Sequence, residues 1–189
     1  MARIYTLVNQ KGGVGKTTSA INLGAYLGYF GQRVLLVDLD PQANATSSLG
    51  VDKNTVRQGT YEVLIGQTPL ASQILHNPRL KISLLPASPA LAGAEIELVD
   101  VMQRESRLRE VLQPVYDRYN YILIDCPPSL GFLTVSALVA CRALLIPVEA
   151  HVMALAGLAS LLQTVERIRE RRAALRQKGQ LKLRTHLAL

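Results

Sequence analysis

The hydrophobic positions of the chain fall into short apolar runs that are separated by longer amphipathic segments. The runs are rich in Val, Ile and Leu, are too short for helices and lack alternation, so we predict strands buried on both faces. The intervening segments have apolar residues at helical spacing, and such an order of strands and helices indicates a parallel sheet. The predicted strands are residues 4–8, 34–37, 82–85, 121–124 and 143–148, and the predicted helices are residues 17–30, 91–102, 106–116, 132–141 and 153–175.

This pattern predicts the fold class, an α/β protein in three layers with a mostly parallel twisted sheet flanked by helices. The 189 residues, of which 49% are hydrophobic, can supply one sizeable core. No internal repeat or low-complexity linker divides the chain. We therefore expect residues 1–189 to form a single domain, and we expect Gly31 to end the first helix in a left-handed conformation.

A glycine-rich segment joins the first predicted strand to the first predicted helix, which is where a phosphate-binding loop lies. Glycines let backbone N–H groups approach phosphate oxygens, and the start of a helix adds partial positive charge. We expect Lys16 to contact the β- and γ-phosphates and the hydroxyl of Thr17 to contact Mg²⁺, and the spacing disfavours a turn without a ligand. This phosphate loop consists of Asn9, Gln10, Lys11, Gly12, Gly13, Val14, Gly15, Lys16, Thr17 and Thr18, of which residues 12–18 are the predicted phosphate-binding residues. The expected fold is thus that of a P-loop NTPase.

Carboxylates follow two of the predicted strands, at the edge where open α/β sheets bind ligands. Asp38 and Asp40 follow the second strand, and alternation along an extended chain directs them to the same side. Asp125 follows the fourth strand. Such carboxylates can hold the waters of Mg²⁺ or orient an attacking water, and we place Asp38 and Asp125 nearer the metal. The alternative is that they only cap helices or turns.

The charge of the chain adds a possible class of partner. The formal net charge is +7, which favours a polyanionic partner without indicating a fold. An arginine run in the last predicted helix could meet DNA phosphates, although a solvated helix face interleaved with Glu166 and Glu170 is the alternative. This run consists of Arg167, Arg169, Arg171, Arg172 and Arg176.

The cysteine and histidine content excludes two classes of protein. Cys126 and Cys141 are too few for a disulfide framework, and their apolar surroundings indicate burial in a protein of a reducing cytoplasm. The three histidines lack metal spacing, so we expect no zinc site. No apolar run is long enough for a membrane-spanning helix, and we expect none.

With these motifs in place, the chain resembles the ParA and Soj partition ATPases of the deviant Walker A family. Lys11 stands at the position of that family's signature lysine, and Asn9-Gln10-Lys11 is more similar to ParA and Soj than to MinD. The run from Asp38 to Thr46 resembles switch I, and the run from Asp125 to Ser129 resembles switch II. With residues 146–149 and 154–158 also similar, the resemblance covers the chain to about residue 170.

The resemblance implies a mechanism and partners. Asp40 would orient the water for slow, Mg²⁺-dependent hydrolysis of ATP. Lys11 would reach across an ATP-dependent homodimer to the phosphates of the partner's ATP. The dimer would bind double-stranded DNA without sequence preference, a ParB-type protein would stimulate hydrolysis, and the protein would be cytoplasmic and nucleoid-associated, with no membrane partner.

Two alternatives remain at this point. A MinD-like membrane-cycling ATPase is disfavoured by Gln10 and by Asp-Pro-Gln in the switch I run. A small-molecule kinase or synthetase on the same fold would need an acceptor pocket that no motif indicates.

Residues 180–189 look like the start of a further strand. We therefore expect the chain to lack the last part of the family's length, with DNA binding and base discrimination impaired.

Overall fold

The computed structural model describes residues 1–149 and 154–177. Six strands form one sheet: β1 Arg3–Leu7, β2 Val34–Asp38, β3 Leu75–Asn77, β4 Ile82–Leu85, β5 Tyr121–Asp125 and β6 Ala143–Leu145. Their order is β3-β4-β2-β5-β1-β6. All neighbouring pairs are parallel except β3 and β4. The predicted mostly parallel sheet is therefore confirmed.

Helices cover both faces of this sheet. They are α1 Lys16–Tyr29, α2 Asn44–Ser48, α3 Thr60–Ile65, α4 Ala94–Glu97, α5 Arg107–Leu112, α6 Phe132–Ala140 and α7 Ala154–Gln177, and short 3-10 turns occupy Leu70–Ser72, Pro89–Gly93, Arg104–Ser106 and Gln113–Val115. Successive residues of β2 pack into opposite layers, since Leu36 packs with α1 and Leu35 packs with α3 to α6. All five residues of β2 are buried, as expected for a strand covered on both faces. The predicted three-layer fold class is confirmed.

The prediction was wrong for one of the helices and too long for another. Residues 91–102 contain only the four-residue α4 and part of a 3-10 turn, and Gln103 just beyond them adopts a left-handed backbone with φ 56°. Residues 106–116 contain α5, which gives way to a 3-10 turn at Pro114, where the missing N–H removes a helical hydrogen bond. Gly31 is left-handed at φ 76°, as predicted.

Three short elements, β3, α2 and α3, are three to six residues long and were not predicted from the sequence. The predicted further strand at residues 180–189 lies outside the described part of the chain. The assignment of one domain to residues 1–189 stays a prediction for the same reason. Among the described helices, none is both long and apolar enough to cross a membrane.

The sheet topology brings the predicted site residues to one edge. β5 lies between β1 and β2, and Asp125 is level with Leu7 on one side and with Asp38 on the other. The phosphate loop leaves β1 at this edge and enters α1 at Lys16. The carboxyl ends of three central strands therefore carry the loop and both strand-terminal aspartates.

Candidate functional site

The phosphate loop has the backbone of an anion-binding loop. Gly13 and Gly15 are left-handed, with φ 77° and 84°, a conformation that side chains with Cβ atoms rarely adopt. A Cβ placed on Gly12, Gly13 or Gly15 would have no atom within 4 Å, so the loop borders open space. The first turn of the 14-residue α1 contains no acidic residue. Its free N–H groups and positive dipole end can therefore act on a bound anion.

Lys16 holds its ammonium group over this loop. The residue is only 7% exposed, and its Nζ donates a hydrogen bond to the Lys11 carbonyl oxygen at 3.1 Å. Burial lowers the pKa of Lys16, while the negative charges of Asp125 and Asp40 oppose that decrease. Within residues 1–149 and 154–177, no carboxylate lies within ion-pair distance of its Nζ. A buried cation that has only a carbonyl partner is well suited to bind phosphate oxygens.

Thr17 and Asp125 form the second part of the site. The Thr17 hydroxyl donates to Asp125 Oδ2 at 2.7 Å. Asp125 is fully buried, and its Oδ1 atom has no hydrogen-bond partner. Burial, together with the charges of Asp38 and Asp40, raises the pKa of Asp125 to about 7, against the lowering effects of the Thr17 bond and of Lys16. A buried carboxylate oxygen without a donor is a place for a water bound to Mg²⁺, so these residues fit the predicted metal.

A magnesium ion at this position would depend on few protein ligands. In the described part of the chain, no three His, Cys, Asp or Glu side chains converge on one point. Mg²⁺ commonly keeps several waters and takes one or two protein ligands together with phosphate oxygens. The Thr17 hydroxyl and a water held by Asp125 match that pattern.

Asp38 is engaged in a different set of contacts. Its Oδ2 accepts hydrogen bonds from the backbone N–H and the hydroxyl of Thr46, at 2.8 and 2.7 Å, and its Oδ1 accepts from the N–H of Asp40 at 3.2 Å. The Thr46 hydroxyl also accepts from the N–H of Ala87 at 2.9 Å. Burial raises the pKa of Asp38 to about 6 although the Thr46 bonds act in the opposite direction. Asp38 thus anchors the segment between β2 and α2, and its role at the metal stays a prediction.

Asp40 lies on that same segment and is 6% exposed. Its Oδ1 accepts a hydrogen bond from the N–H of Gln42 at 2.9 Å. Ala43, which follows, has a left-handed backbone at φ 51° although it is fully buried. Non-glycine residues in that region carry strain, and strained residues cluster at sites that bind or switch.

The Lys11 side chain forms a salt bridge with Glu149, both side chains being about half exposed. Asn9 supports this arrangement, since its Oδ1 accepts from the N–H of Lys11 at 3.0 Å and its Nδ2 donates to the Pro147 carbonyl at 2.7 Å. The phosphate loop is thereby joined to the segment that follows β6. The ammonium of Lys11 lies on the surface, where a second molecule can reach it.

The structure brings together Lys16, Thr17 and Asp125, places Asp38 beside Asp125, and pairs the ammonium of Lys11 with Glu149. Asn9, Thr46 and Glu149 were not predicted as site residues. Each lies within one of the sequence motifs named above. Their hydrogen-bond and ion-pair partners become visible only in the folded structure. Both cysteines are buried, as predicted, and burial raises the pKa of the Cys126 thiol.

Comparisons with known proteins agree with this geometry. The family model for the AAA domain matches residues 2–180. The sporulation initiation inhibitor protein Soj of Bacillus subtilis is 49% identical over 170 residues, which cover 90% of this chain and 67% of that protein. The chromosome partitioning protein ParA of Myxococcus xanthus is 47% identical over 171 residues, covering 90% of this chain and 60% of that protein. The chain thus spans about two thirds of the length of these relatives.

A solved structure gives the same result for the fold. The crystal structure of cobyrinic acid a,c-diamide synthase from Mycobacterium smegmatis, with a bound ATP analogue and magnesium, superposes with a TM-score of 0.87 at 38% identity. The match covers 90% of this chain and 69% of that one. On the sequence identity to Soj and ParA and on the matched AAA domain, the chain belongs to the ParA/Soj family of partition ATPases.

Proposed function

We propose that this protein is a nucleotide-switched partition ATPase that binds Mg-ATP at the phosphate loop and hydrolyses it slowly. The observation that carries the proposal is the buried Asp125, which bonds to Thr17 with one carboxylate oxygen and has no partner on the other. That oxygen lies at the carboxyl end of β5, beside the helix start that can receive the phosphates. A phosphate-binding loop alone would not need a buried, unpaired carboxylate.

Each residue of the site then has a distinct task. Lys16 and the N–H groups of residues 12–18 bind the β- and γ-phosphates and neutralise the charge that develops during transfer. Thr17 and Asp125 are the residues that would hold a magnesium ion, which would supply charge neutralisation at the phosphates. Asp40 orients the attacking water. Hydrolysis by such a site depends on the positioning of this water, which the anchored segment that carries Asp40 would provide.

The switch would act through association of two copies. The exposed ammonium of Lys11 is available to the phosphates of a partner's ATP once its salt bridge with Glu149 opens. The names of the relatives support a role in chromosome or plasmid partitioning, in which the ATP-bound homodimer binds double-stranded DNA without sequence preference. A ParB-type protein would stimulate hydrolysis and release the dimer. The protein would act in the cytoplasm, in association with the nucleoid.

Two variants separate binding from hydrolysis. Lys16→Ala should abolish binding of a fluorescent ATP analogue, because it removes the buried cation of the loop. Asp40→Ala should keep the wild-type affinity but stall phosphate release, because it removes only the orientation of water. The exposed Asp52→Ala is the matched carboxylate control and should change neither measurement. Equal loss of affinity in Lys16→Ala and Asp40→Ala would contradict the assignment.

One finding favours a second candidate function. The solved structure at 38% identity is named as an amide-forming synthase, which would use the same phosphate loop to activate a carboxylate for amidation. The two candidates differ in the added molecules on which ATP turnover depends. Release of ADP that requires an added carboxylate acceptor and an amine donor would favour the synthase, whereas turnover with water alone, stimulated by DNA and a ParB-type protein, favours the partition ATPase.

A further inference from the structure

Large apolar side chains are exposed in the turns between α4 and α5. We call residues 95–105, which carry them, the apolar surface. Single exposed apolar residues are ordinary in proteins, but a group of them marks an interaction site. The N–H of Val99 donates to the Ile96 carbonyl at 3.2 Å, so these residues lie on successive turns of one segment. The exposed apolar residues are Ile96 at 76%, Val99 at 57%, Val101 at 44% and Met102 at 88%.

The apolar surface rests on buried residues of the same segment. Ala94 and Leu98 are buried in the core that α3, α5 and α6 share. The guanidinium carbon of Arg104 lies 5.3 Å from the centre of the Phe132 ring in α6. The core is therefore supplied by the inward residues and does not require the outward apolar ones. An anchored surface also loses little conformational entropy when a partner binds.

The charge of the apolar surface is opposite in sign to that of the whole chain. It has four acids and one arginine, a net charge of −3, whereas the chain has +7. Among the described residues, no lysine or arginine lies within ion-pair distance of these acids, although Glu97 accepts a hydrogen bond from the Tyr61 hydroxyl. Unpaired acids beside exposed apolar side chains complement a ligand that is both basic and apolar. The acids are Glu95, Glu97, Asp100 and Glu105.

This chemistry disfavours several other occupants. Nucleic acid and anionic lipid would be repelled by the negative charge. A second copy in a symmetric dimer would place the same acids opposite each other. A cleft of about 250 Å³, lined by Val101 and Met102 among others, adjoins the apolar surface. It is smaller than the pockets of about 300–1,000 Å³ that hold small-molecule ligands, so it suits one anchoring side chain.

We propose that the apolar surface binds a basic amphipathic helix of a partner protein. The apolar side chains of that helix would lie against Ile96, Val99 and Met102, and its lysines or arginines would lie beside the acids. Such helices present apolar residues three and four positions apart, which matches the spacing of these three residues. The inference does not rest on the proposed function, because none of the residues that carry it belongs to the phosphate loop or to the aspartates of the site.

The test uses a synthetic peptide as the probe. A labelled peptide of about 15 residues, with leucines at helical spacing and lysines elsewhere, is long enough for a marginal helix in water. Its binding to the whole chain is followed by fluorescence anisotropy without nucleotide. The matched probe has glutamate in place of every lysine. We expect saturable binding of the lysine peptide and none of the glutamate peptide, because only the first complements the acids.

Two double variants locate the contact through its apolar side chains. Ile96→Ser/Met102→Ser should weaken binding of the lysine peptide at least about tenfold, as expected when central apolar contacts are lost. The control is Tyr26→Ser/Phe30→Ser, which removes two similarly exposed apolar side chains of α1 and should leave the affinity unchanged.

Two further double variants locate it through charge. Glu95→Gln/Asp100→Asn should weaken the lysine peptide about threefold at roughly 50 mM salt and little at roughly 300 mM, because salt screens exposed charges. The control, Glu166→Gln/Glu170→Gln, neutralises two exposed acids of α7 and should have no effect. The Lys16→Ala variant should bind the lysine peptide like the wild type.

Several results would overturn the inference. Equal binding of the two peptides, or equal loss in a surface variant and its control, would show that the apolar surface is not the contact. Self-association in light scattering that Ile96→Ser/Met102→Ser abolishes would assign the surface to a second copy. Retention by phosphatidylcholine vesicles without peptide binding would assign it to lipid.

Thermal unfolding shows whether the variants are folded. If Ile96→Ser/Met102→Ser is not, Met102→Ser alone replaces a side chain that is 88% exposed and should weaken the lysine peptide about threefold. Loss of peptide binding in Lys16→Ala contradicts this inference and leaves the proposed function intact. Failure of the wild type to bind an ATP analogue contradicts the proposed function alone.

Discussion

Replacing Asp125 by asparagine should stabilise the protein when no magnesium or nucleotide is present. Asp125 is fully buried, and its pKa is raised from 3.8 to about 7 mainly by burial. Between those two pH values the folded state binds more protons than the unfolded state. Stability contributed by this group is therefore highest below about pH 4 and falls as the pH rises to about 7, after which the loss is complete.

The size of the effect follows from the same values. A pKa that rises from 3.8 to about 7 is equivalent to about 4 kcal/mol at neutral to alkaline pH, at about 1.36 kcal/mol per pKa unit. Asparagine removes this charge and can still accept the hydrogen bond from Thr17, but its amide N–H₂ would face the position where Oδ1 has no partner. An unsatisfied buried donor costs about 1–3 kcal/mol. We therefore expect Asp125→Asn to raise the free energy of unfolding by about 1–3 kcal/mol at pH 8.

The assay is urea unfolding followed by circular dichroism, in EDTA and without nucleotide, at pH 8 and pH 4.5. At pH 4.5 the aspartic acid is protonated in the folded protein, so the advantage of asparagine should vanish or reverse. The exposed Asp100→Asn is the control and should give the same small difference at both values. If Asp125→Asn were less stable than the wild type at pH 8, or if its effect did not depend on pH, the reasoning from burial would be refuted.

Three further changes test other contacts. Thr46→Val should lower the free energy of unfolding by about 2–4 kcal/mol in urea titrations, because Asp38 loses a buried donor, whereas Thr46→Ser should be nearly neutral. Gly28→Ala should cost about 1–3 kcal/mol, because the added methyl would meet backbone oxygens at 2.7 and 2.9 Å, while Gly157→Ala, with open space around it, should not destabilise. Lys11→Ala should leave the unfolding curve unchanged but remove the ATP-induced dimer in light scattering, and an unchanged dimer would count against the role of Lys11 across the interface.

The parallel strands could be predicted from the sequence because burial on both faces leaves a strong signal, whereas the exposed antiparallel β3 was not predicted. Each residue of β2 is apolar or functional and buried, so the run cannot be mistaken for an exposed segment. The phosphate loop was equally predictable, since its glycines and Lys16 are needed locally, at a fixed distance from the end of β1. Features that depend on local residue spacing were therefore predicted.

Features that depend on tertiary contacts could not be predicted. Residues 91–116 have helical spacing of apolar residues, yet the chain breaks there into short turns that pack between α3 and α6. The bonds from Thr46 to Asp38 and from Ala87 to Thr46 join segments that are 8 and 41 residues apart. Neither bond has a sequence pattern of its own. The same holds for Glu149, whose partner lies 138 residues earlier.

The buried carboxylates at the carboxyl edge of the sheet explain why the stability of the fold should depend on the bound ligand. At the carboxyl edge burial raises the pKa values of both Asp38 and Asp125, and the charge of Asp40 adds to the increase. A magnesium ion beside them would favour their charged forms and remove the loss of stability that accompanies rising pH. Mg-nucleotide at about 100 times its Kd would add about 2.7 kcal/mol of stability. The pH dependence of wild-type unfolding should therefore flatten when Mg-nucleotide is added.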